Sequence, residues 1–443
     1  MRAPPVDSPI ASPDAPTLVR ALGVRALAAN IVNTIVGSGI FVLPAVVAAI
    51  LGPAAVVAYI VCAALVALFG LCFAEVGSRV HATGGAYAYV EAAFGQYVGF
   101  SAGLLLGCAE MVASAAVATI FVGSLSALLP GGGGAASRAA LLVLLYASLA
   151  AVNVRGVRVG ARLMELLTAS KLVPLALLVV AGMFVLHPAY LRWTGFPPLG
   201  AIGRASLVLM FAFTGVEGPL TSSGEVRDPA RTVPRAVLLG LSTVALLYAG
   251  LQLVSQGVLG PALAATTNAP LGAVAERALG NPGRVLILIA AIVSALGYVS
   301  GDMLASPRLL FAFGRDGLLP ARFGAIHARF RTPHIAITGY AAVSCAVALS
   351  GSFRVLAVLS AVGILFVDLA CCLAVLELRR RDVRAEGAPF RIAGGPIVPL
   401  LACAVVIWLL TSARTVEFLA AAGVLVIAAL LYLLRRQRPV AAP

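Results

Sequence analysis

The 443-residue chain is poor in charge: 11% of its residues are Asp, Glu, Lys or Arg, against roughly 25% in a soluble domain. It has a single lysine, four histidines and seven cysteines. No C-x-x-C pair occurs, and no histidine stands beside Cys62, Cys72, Cys108, Cys345, Cys371, Cys372 or Cys403. That spacing excludes a zinc motif and argues against a disulfide framework. H-E-x-x-H and Walker sequences are also missing, so metalloprotease and ATP-driven pump readings have no support. No cofactor and no metal site is expected. Residues 1–20 lack a basic stretch followed by a short apolar run; they read as a disordered cytoplasmic tail, not a signal peptide.

Apolar length is what the chain has in abundance. Hydrophobic residues make up 61% of it and mean hydropathy is +1.05, which defines an all-α integral membrane protein. The net charge of +14 does not imply nucleic acid, because the arginines are scattered among short loops and form no basic domain. At about 20 apolar residues per span, twelve spans are predicted. They cover 22–49, 54–78, 96–129, 138–154, 162–186, 202–224, 235–259, 284–312, 333–351, 354–377, 395–412 and 414–434. With the N-terminus inside, 23 arginines fall in cytoplasmic segments and seven in outer ones. The positive-inside rule then puts both termini in the cytoplasm.

The first span carries an interruption, "IVNTIVGSGIFVLP" from Ile31 to Pro44. Gly37 and Gly39 disfavour a helix interior and Pro44 removes a donor, so the helix is expected to unwind here. A break in hydrocarbon is tolerated only where protein or a watery cavity satisfies the freed backbone, which suggests a binding site. Small residues for close helix packing are the plainer alternative. The sixth span repeats the pattern, "FAFTGVE" from Phe211 to Glu217 followed by Gly218 and Pro219. Breaks five spans apart are what an inverted repeat produces, with spans 1–5 (22–186) matching spans 6–10 (202–377). Spans eleven and twelve (395–434) lie outside the repeat. The domain assignment is therefore one transmembrane domain over 21–435 with a cytoplasmic tail at 436–443.

Lys171, the only lysine, sits about ten residues into the fifth span. An intramembrane ionisable group is a functional candidate by default. It is read either as a titrating group or as a fixed cation where a sodium ion would otherwise bind, with snorkelling to the interface as the bland alternative. Glu110, Glu217, Asp302 and Asp368 also fall within spans. Glu217 follows the second break directly, either tying down freed amides or taking part in proton or substrate coupling. Glu110 either faces a cavity, favouring a cationic substrate, or packs against neighbouring spans. Asp302 and Asp368 are read as helix–helix partners. An intramembrane hydrolase using Ser38 needs a base, and the four histidines lie in loops or at span ends, leaving only Lys171. A channel needs a filter or rings of charge, which two asymmetric breaks in one chain do not supply.

Six landmarks in order support a resemblance: "GSGIFVLP" (37–44), "TGGAYAYVEAAFG" (83–95), "FAFTGVEGPLTSSGEVRDPARTVPRA" (211–236), "RLLFAFGRDGLLP" (308–320), "RTPHIAI" (331–337) and "PFRIAGGPIVPLL" (389–401). Over residues 20 to 435 the chain resembles the amino acid–polyamine–organocation transporters, particularly bacterial amino-acid permeases. The resemblance implies alternating access in the bacterial inner membrane, with an amino acid held between spans one and six. The substrate carboxylate would meet the Ser38 hydroxyl and Gly39 amide, and its amine the carbonyls of Ile35, Phe211 and Thr214. Gly37 and Gly215 complete the site, and Phe211 stands where relatives place a gating aromatic. Lys171 matches the fifth-span lysine of sodium-independent relatives, some proton-coupled and some exchangers. Pro307 departs from the small polar residue expected before Arg308. A neutral amino acid and protons are the expected partners, with the bilayer as the surroundings; nucleic acid and an obligate protein partner are not expected.

Overall fold

The computed structural model describes residues 23–80, 86–128, 134–155, 161–193, 195–215, 229–266, 269–315, 319–384 and 389–436, with the side chains of 161–169, 229–230, 305, 312 and 435–436 left aside. Every regular element among them is helical. The first half runs α1 (Val24–Ile35), α2 (Leu43–Leu51), α3 (Val56–Arg79), α4 (Ala86–Phe94), α5 (Gln96–Leu128), α6 (Ala135–Arg155) and α7 (Ala161–Met183). The second runs α8 (Leu199–Phe213), α9 (Pro229–Leu259), α10 (Ala262–Ala265), α11 (Pro270–Ala305), α12 (Pro307–Arg315), α13 (His334–Ser350), α14 (Phe353–Arg380), α15 (Ile397–Leu410) and α16 (Thr415–Arg436). Among the described residues seven helical stretches are long and apolar enough to cross a membrane. Five shorter apolar helices of 10–17 residues accompany them, among them α1 and α8. This is a multi-pass membrane protein.

Three elements position the centre. Helix α1 packs along α9, α2 packs against α8, and α3 lies across both α8 and α9. Helix α5 anchors the other side through α11 and α14. The eighth predicted span differs from expectation. Helix α11 begins at Pro270, is interrupted at Gly280 (φ 72°, ψ −169°), and stops at Ala305. Pro307 has no N–H for the carbonyl four residues back, and its ring crowds that turn, so α12 begins as a separate helix.

An ion network locks one end of the bundle. Glu75 on α3 is fully buried and accepts from Arg79 (3.0 Å), from Arg379 on α14 (2.7 and 2.5 Å), and from the Ile392 amide (2.9 Å). Arg79, also buried, donates a further bond to the Val383 carbonyl at 3.2 Å. A buried carboxylate is costly unless its lone pairs are filled, and here they are. The network ties α3, α14 and the segment leading to α15 together.

Candidate functional site

The first interruption is present. Helix α1 ends at Ile35, Val36 leaves helical geometry (ψ 79°), and the Gly37 amide closes a three-residue turn onto the Ile35 carbonyl at 2.7 Å. A single 3-10 turn, Gly39–Phe41, follows before α2 restarts at Leu43 with Pro44 in its first turn, where a missing N–H costs nothing. The second interruption begins at Phe213, where α8 stops and Thr214 turns extended (φ −69°, ψ 157°). Glu217, Gly218 and Pro219 lie outside the described residues.

The two breaks meet. Gly215 has φ +109°, and any Cβ there would stand 3.2 Å from the Thr34 carbonyl oxygen. A Cβ on Gly39 would stand 3.0 Å from the Phe211 ring, so the ring lies directly over the first break. Phe211 is itself backed edge-on by Phe353 at 5.6 Å. Ser38, Gly39, Ile35, Phe211, Thr214 and Gly215 therefore form one neighbourhood, with Gly37 in the turn beneath.

A broken helix leaves carbonyls at one stump and amides at the other. At the end of α1 the Val32 carbonyl takes the Val36 amide, the Asn33 carbonyl takes the Lys171 ammonium at 2.7 Å, and the Ile35 carbonyl takes the Tyr248 hydroxyl at 3.1 Å. At the end of α8 the Phe211 carbonyl takes the Thr214 hydroxyl, and the Ala212 carbonyl takes the same Tyr248 hydroxyl at 3.2 Å. The donors at the other stump are left over. Among the described residues the Gly39 and Ile40 amides have no acceptor, and the Ser38 hydroxyl is fully buried without a partner. Unfilled donors at the positive end of a helix suit an anionic group.

Lys171 thus reaches the carbonyl end of α1, where a cation complements the helix dipole. Glu110 accepts from Tyr298 on α11 at 3.0 Å. Asp302 accepts from Ser306 at 2.5 Å and from Tyr340 on α13 at 2.7 Å, which makes it the helix–helix partner expected of it. Tyr248 was not singled out from the sequence. Its one signal is a hydroxyl in the otherwise apolar run "VALLYAGL".

Beyond Phe353 lies a cavity of about 670 Å³, walled by α2, the far ends of α5 and α13, and the beginnings of α6 and α14. Phe353 is part of its lining, so the edge-on pair of Phe353 and Phe211 stands between the cavity and Gly39.

Two interrupted helices meeting back to back inside a multi-pass bundle define a membrane transporter rather than an enzyme. The family model for amino acid permeases matches residues 22–434. The chain is 26% identical to a methylthioribose transporter of Bacillus subtilis (strain 168), over 98% of this chain and 97% of the relative. It is 28% identical to the branched-chain amino acid permease BcaP of Lactococcus lactis subsp. cremoris (strain MG1363), over 84% of each. It is also 28% identical to the serine/threonine exchanger SteT of Bacillus subtilis (strain 168), over 84% of this chain and 86% of the relative. The chain belongs to the amino acid permease family, within the amino acid–polyamine–organocation superfamily.

Proposed function

We propose that the protein carries a neutral α-amino acid across the bacterial inner membrane by alternating access, without sodium and driven by protons. The observation that carries this reading is the pair of unfilled Gly39 and Ile40 amides beside the unpartnered Ser38 hydroxyl. A carboxylate fits these donors. The amine fits the opposite stumps, where Tyr248 has one hydrogen to share between the Ile35 and Ala212 carbonyls and, although the Gly37 amide also serves Ile35, both carbonyls keep acceptor capacity. Thr214 supplies a further carbonyl, and Phe211 closes over the bound zwitterion. Relatives named for branched-chain amino acids and for serine and threonine fit a neutral substrate.

Seven long and five shorter apolar helices accommodate the twelve spans. In this arrangement the repeats occupy 22–186 and 202–377, with 395–434 outside them and both termini cytoplasmic. Lys171 is the coupling group and Glu217 its candidate companion. Exchange of one amino acid for another is the second reading. It is favoured by the bond from Lys171 to Asn33, which suits a fixed cation equally well.

Purified protein in sodium-free liposomes, offered a panel of radiolabelled amino acids, tests both readings. Accumulation into empty vesicles that needs an inward proton gradient is the expected result. Uptake only into preloaded vesicles would replace symport by exchange, and no uptake of any amino acid would overturn the proposal.

A further inference from the structure

Along α9, Tyr248, Gln252, Ser255 and Gln256 stand at positions i, i+4, i+7 and i+8, so one face of a largely apolar helix carries a line of polar side chains. All four are buried, with exposures of 0%, 1%, 0% and 4%. The line starts at the two breaks, where the Tyr248 hydroxyl meets the Ile35 and Ala212 carbonyls. It ends at the Gln256 amide, which donates to the Tyr190 carbonyl at 3.5 Å. Tyr190 is exposed in the 3-10 turn Pro188–Leu191, and the His187 amide ties that turn to the Gly257 carbonyl at 2.8 Å. On the proposed orientation this turn lies on the outer face.

The middle of the line is unserved. Both ends of the Gln252 amide, the Ser255 hydroxyl and the Gln256 side-chain carbonyl have no hydrogen-bond partner among the described residues. The same holds for the Tyr59 hydroxyl on α3 and the Ser206 hydroxyl on α8, each at most 1% exposed. Helix α3 packs along both α8 and α9. Tyr59 stands within electrostatic reach of Tyr248 and Cys62, and the Cys62 thiol donates to the Ser206 carbonyl at 3.3 Å. Three helices thus bring their unserved groups to one seam. Buried polar groups are costly unless protein or water serves them. None of the unserved atoms is charged, so an ion would find no counter-charge here. The group that fits must be small and neutral, and must both donate and accept.

We infer that a file of bound water molecules occupies this seam, bridging Tyr59, Ser206, Gln252 and Ser255, and joins the outer turn to the two breaks. A buried water typically makes about three hydrogen bonds, which the amide and the hydroxyls supply. The binding of water does not depend on what is transported. Its use as a proton route rests on the proton-coupled reading above. A proton taken up by the outermost water releases another from the innermost, so no side chain of α9 changes its charge. One proton then arrives at the breaks for Lys171, whose ammonium lies at the Asn33 carbonyl, two residues before Ile35.

The test is radiolytic footprinting of the purified full-length protein, read by mass spectrometry. Radiolysis turns a bound water into a hydroxyl radical that oxidises its neighbours, whereas radicals formed in bulk solvent do not reach a side chain as buried as Tyr59. Oxidation of Tyr59 is expected in the wild type, roughly tenfold lower in Gln252→Met, and restored in Gln252→Asn, which keeps a donor and an acceptor. Unlabelled Tyr59 in the wild type, or equal labelling in Gln252→Met, would overturn the inference. In sodium-free liposomes Gln252→Met should lose gradient-driven accumulation by roughly tenfold, while counterflow in preloaded vesicles continues. Unchanged accumulation would remove the proton route. If the wild type itself accumulates nothing under a gradient, the symport reading fails, and the footprint stands on its own.

Discussion

The Tyr248 hydroxyl stands 3.1 Å from the Ile35 carbonyl and 3.2 Å from that of Ala212, so one side chain of α9 spans both interrupted helices. Tyr248 is fully buried, and its ring is held edge-on by Phe213 at 5.1 Å. A rigid donor between the stumps keeps them in register while their carbonyls keep acceptor capacity for a ligand. It links the sixth-span break to the first without any contact between charged groups.

Tyr248→Phe preserves the ring packing and removes only the donor. A buried carbonyl left short of a donor costs about 1–3 kcal/mol. The variant should unfold at a lower temperature, and its uptake per inserted molecule should fall by roughly tenfold, since ~1.4 kcal/mol is a factor of ten. Uptake and melting both equal to wild type would show that the hydroxyl bridges nothing of consequence.

Lys171 distinguishes the coupling modes. Arginine keeps the positive charge at the Asn33 carbonyl but does not release a proton. Under proton symport, Lys171→Arg and Lys171→Ala both lose gradient-driven accumulation, by about tenfold or more per the proton-transfer requirement. Under exchange, Lys171→Arg keeps counterflow in preloaded vesicles. Full gradient-dependent accumulation by Lys171→Arg would remove the lysine from the coupling step.

Glu75→Gln leaves Arg79 and Arg379 facing a neutral amide in a buried site. Breaking a buried pair by removing one partner typically costs about 3–5 kcal/mol. Thermal inactivation of the purified variant should shift to clearly lower temperature, and expression should fall. An unshifted inactivation curve would contradict the assignment of this network as the lock between α3 and α14.

The first break was legible because Gly37, Gly39 and Pro44 each penalise a helix by a local mechanism that needs no partner. The start of the second was legible for the same reason, although Glu217 lies outside the described residues. Asp302 was read correctly as a helix–helix partner, because a buried carboxylate in a span must find a donor. Which donor it finds is a matter of tertiary packing. Tyr248 was silent because its acceptors are backbone carbonyls 213 and 36 positions away, and carbonyls carry no residue identity. Glu75 was passed over although it lies in the second predicted span with Arg79 four residues on, since its other partners, Arg379 and the Ile392 amide, are 304 and 317 residues distant. The interruption at Gly280 lies ahead of the predicted eighth span, and the start of a separate helix at Pro307 falls on the proline that departs from the residue expected there.

The account's central claim is that the first break reads the substrate. A Cβ at Gly39 would press on the Phe211 ring at 3.0 Å and crowd the free amide. Equilibrium binding of a radiolabelled panel of neutral amino acids to purified wild-type and Gly39→Val protein, both checked for unchanged melting, tests it most directly. Saturable binding of at least one amino acid to the wild type, lost in Gly39→Val, is the predicted result. Equal binding to the two proteins would place the substrate elsewhere and contradict the claim.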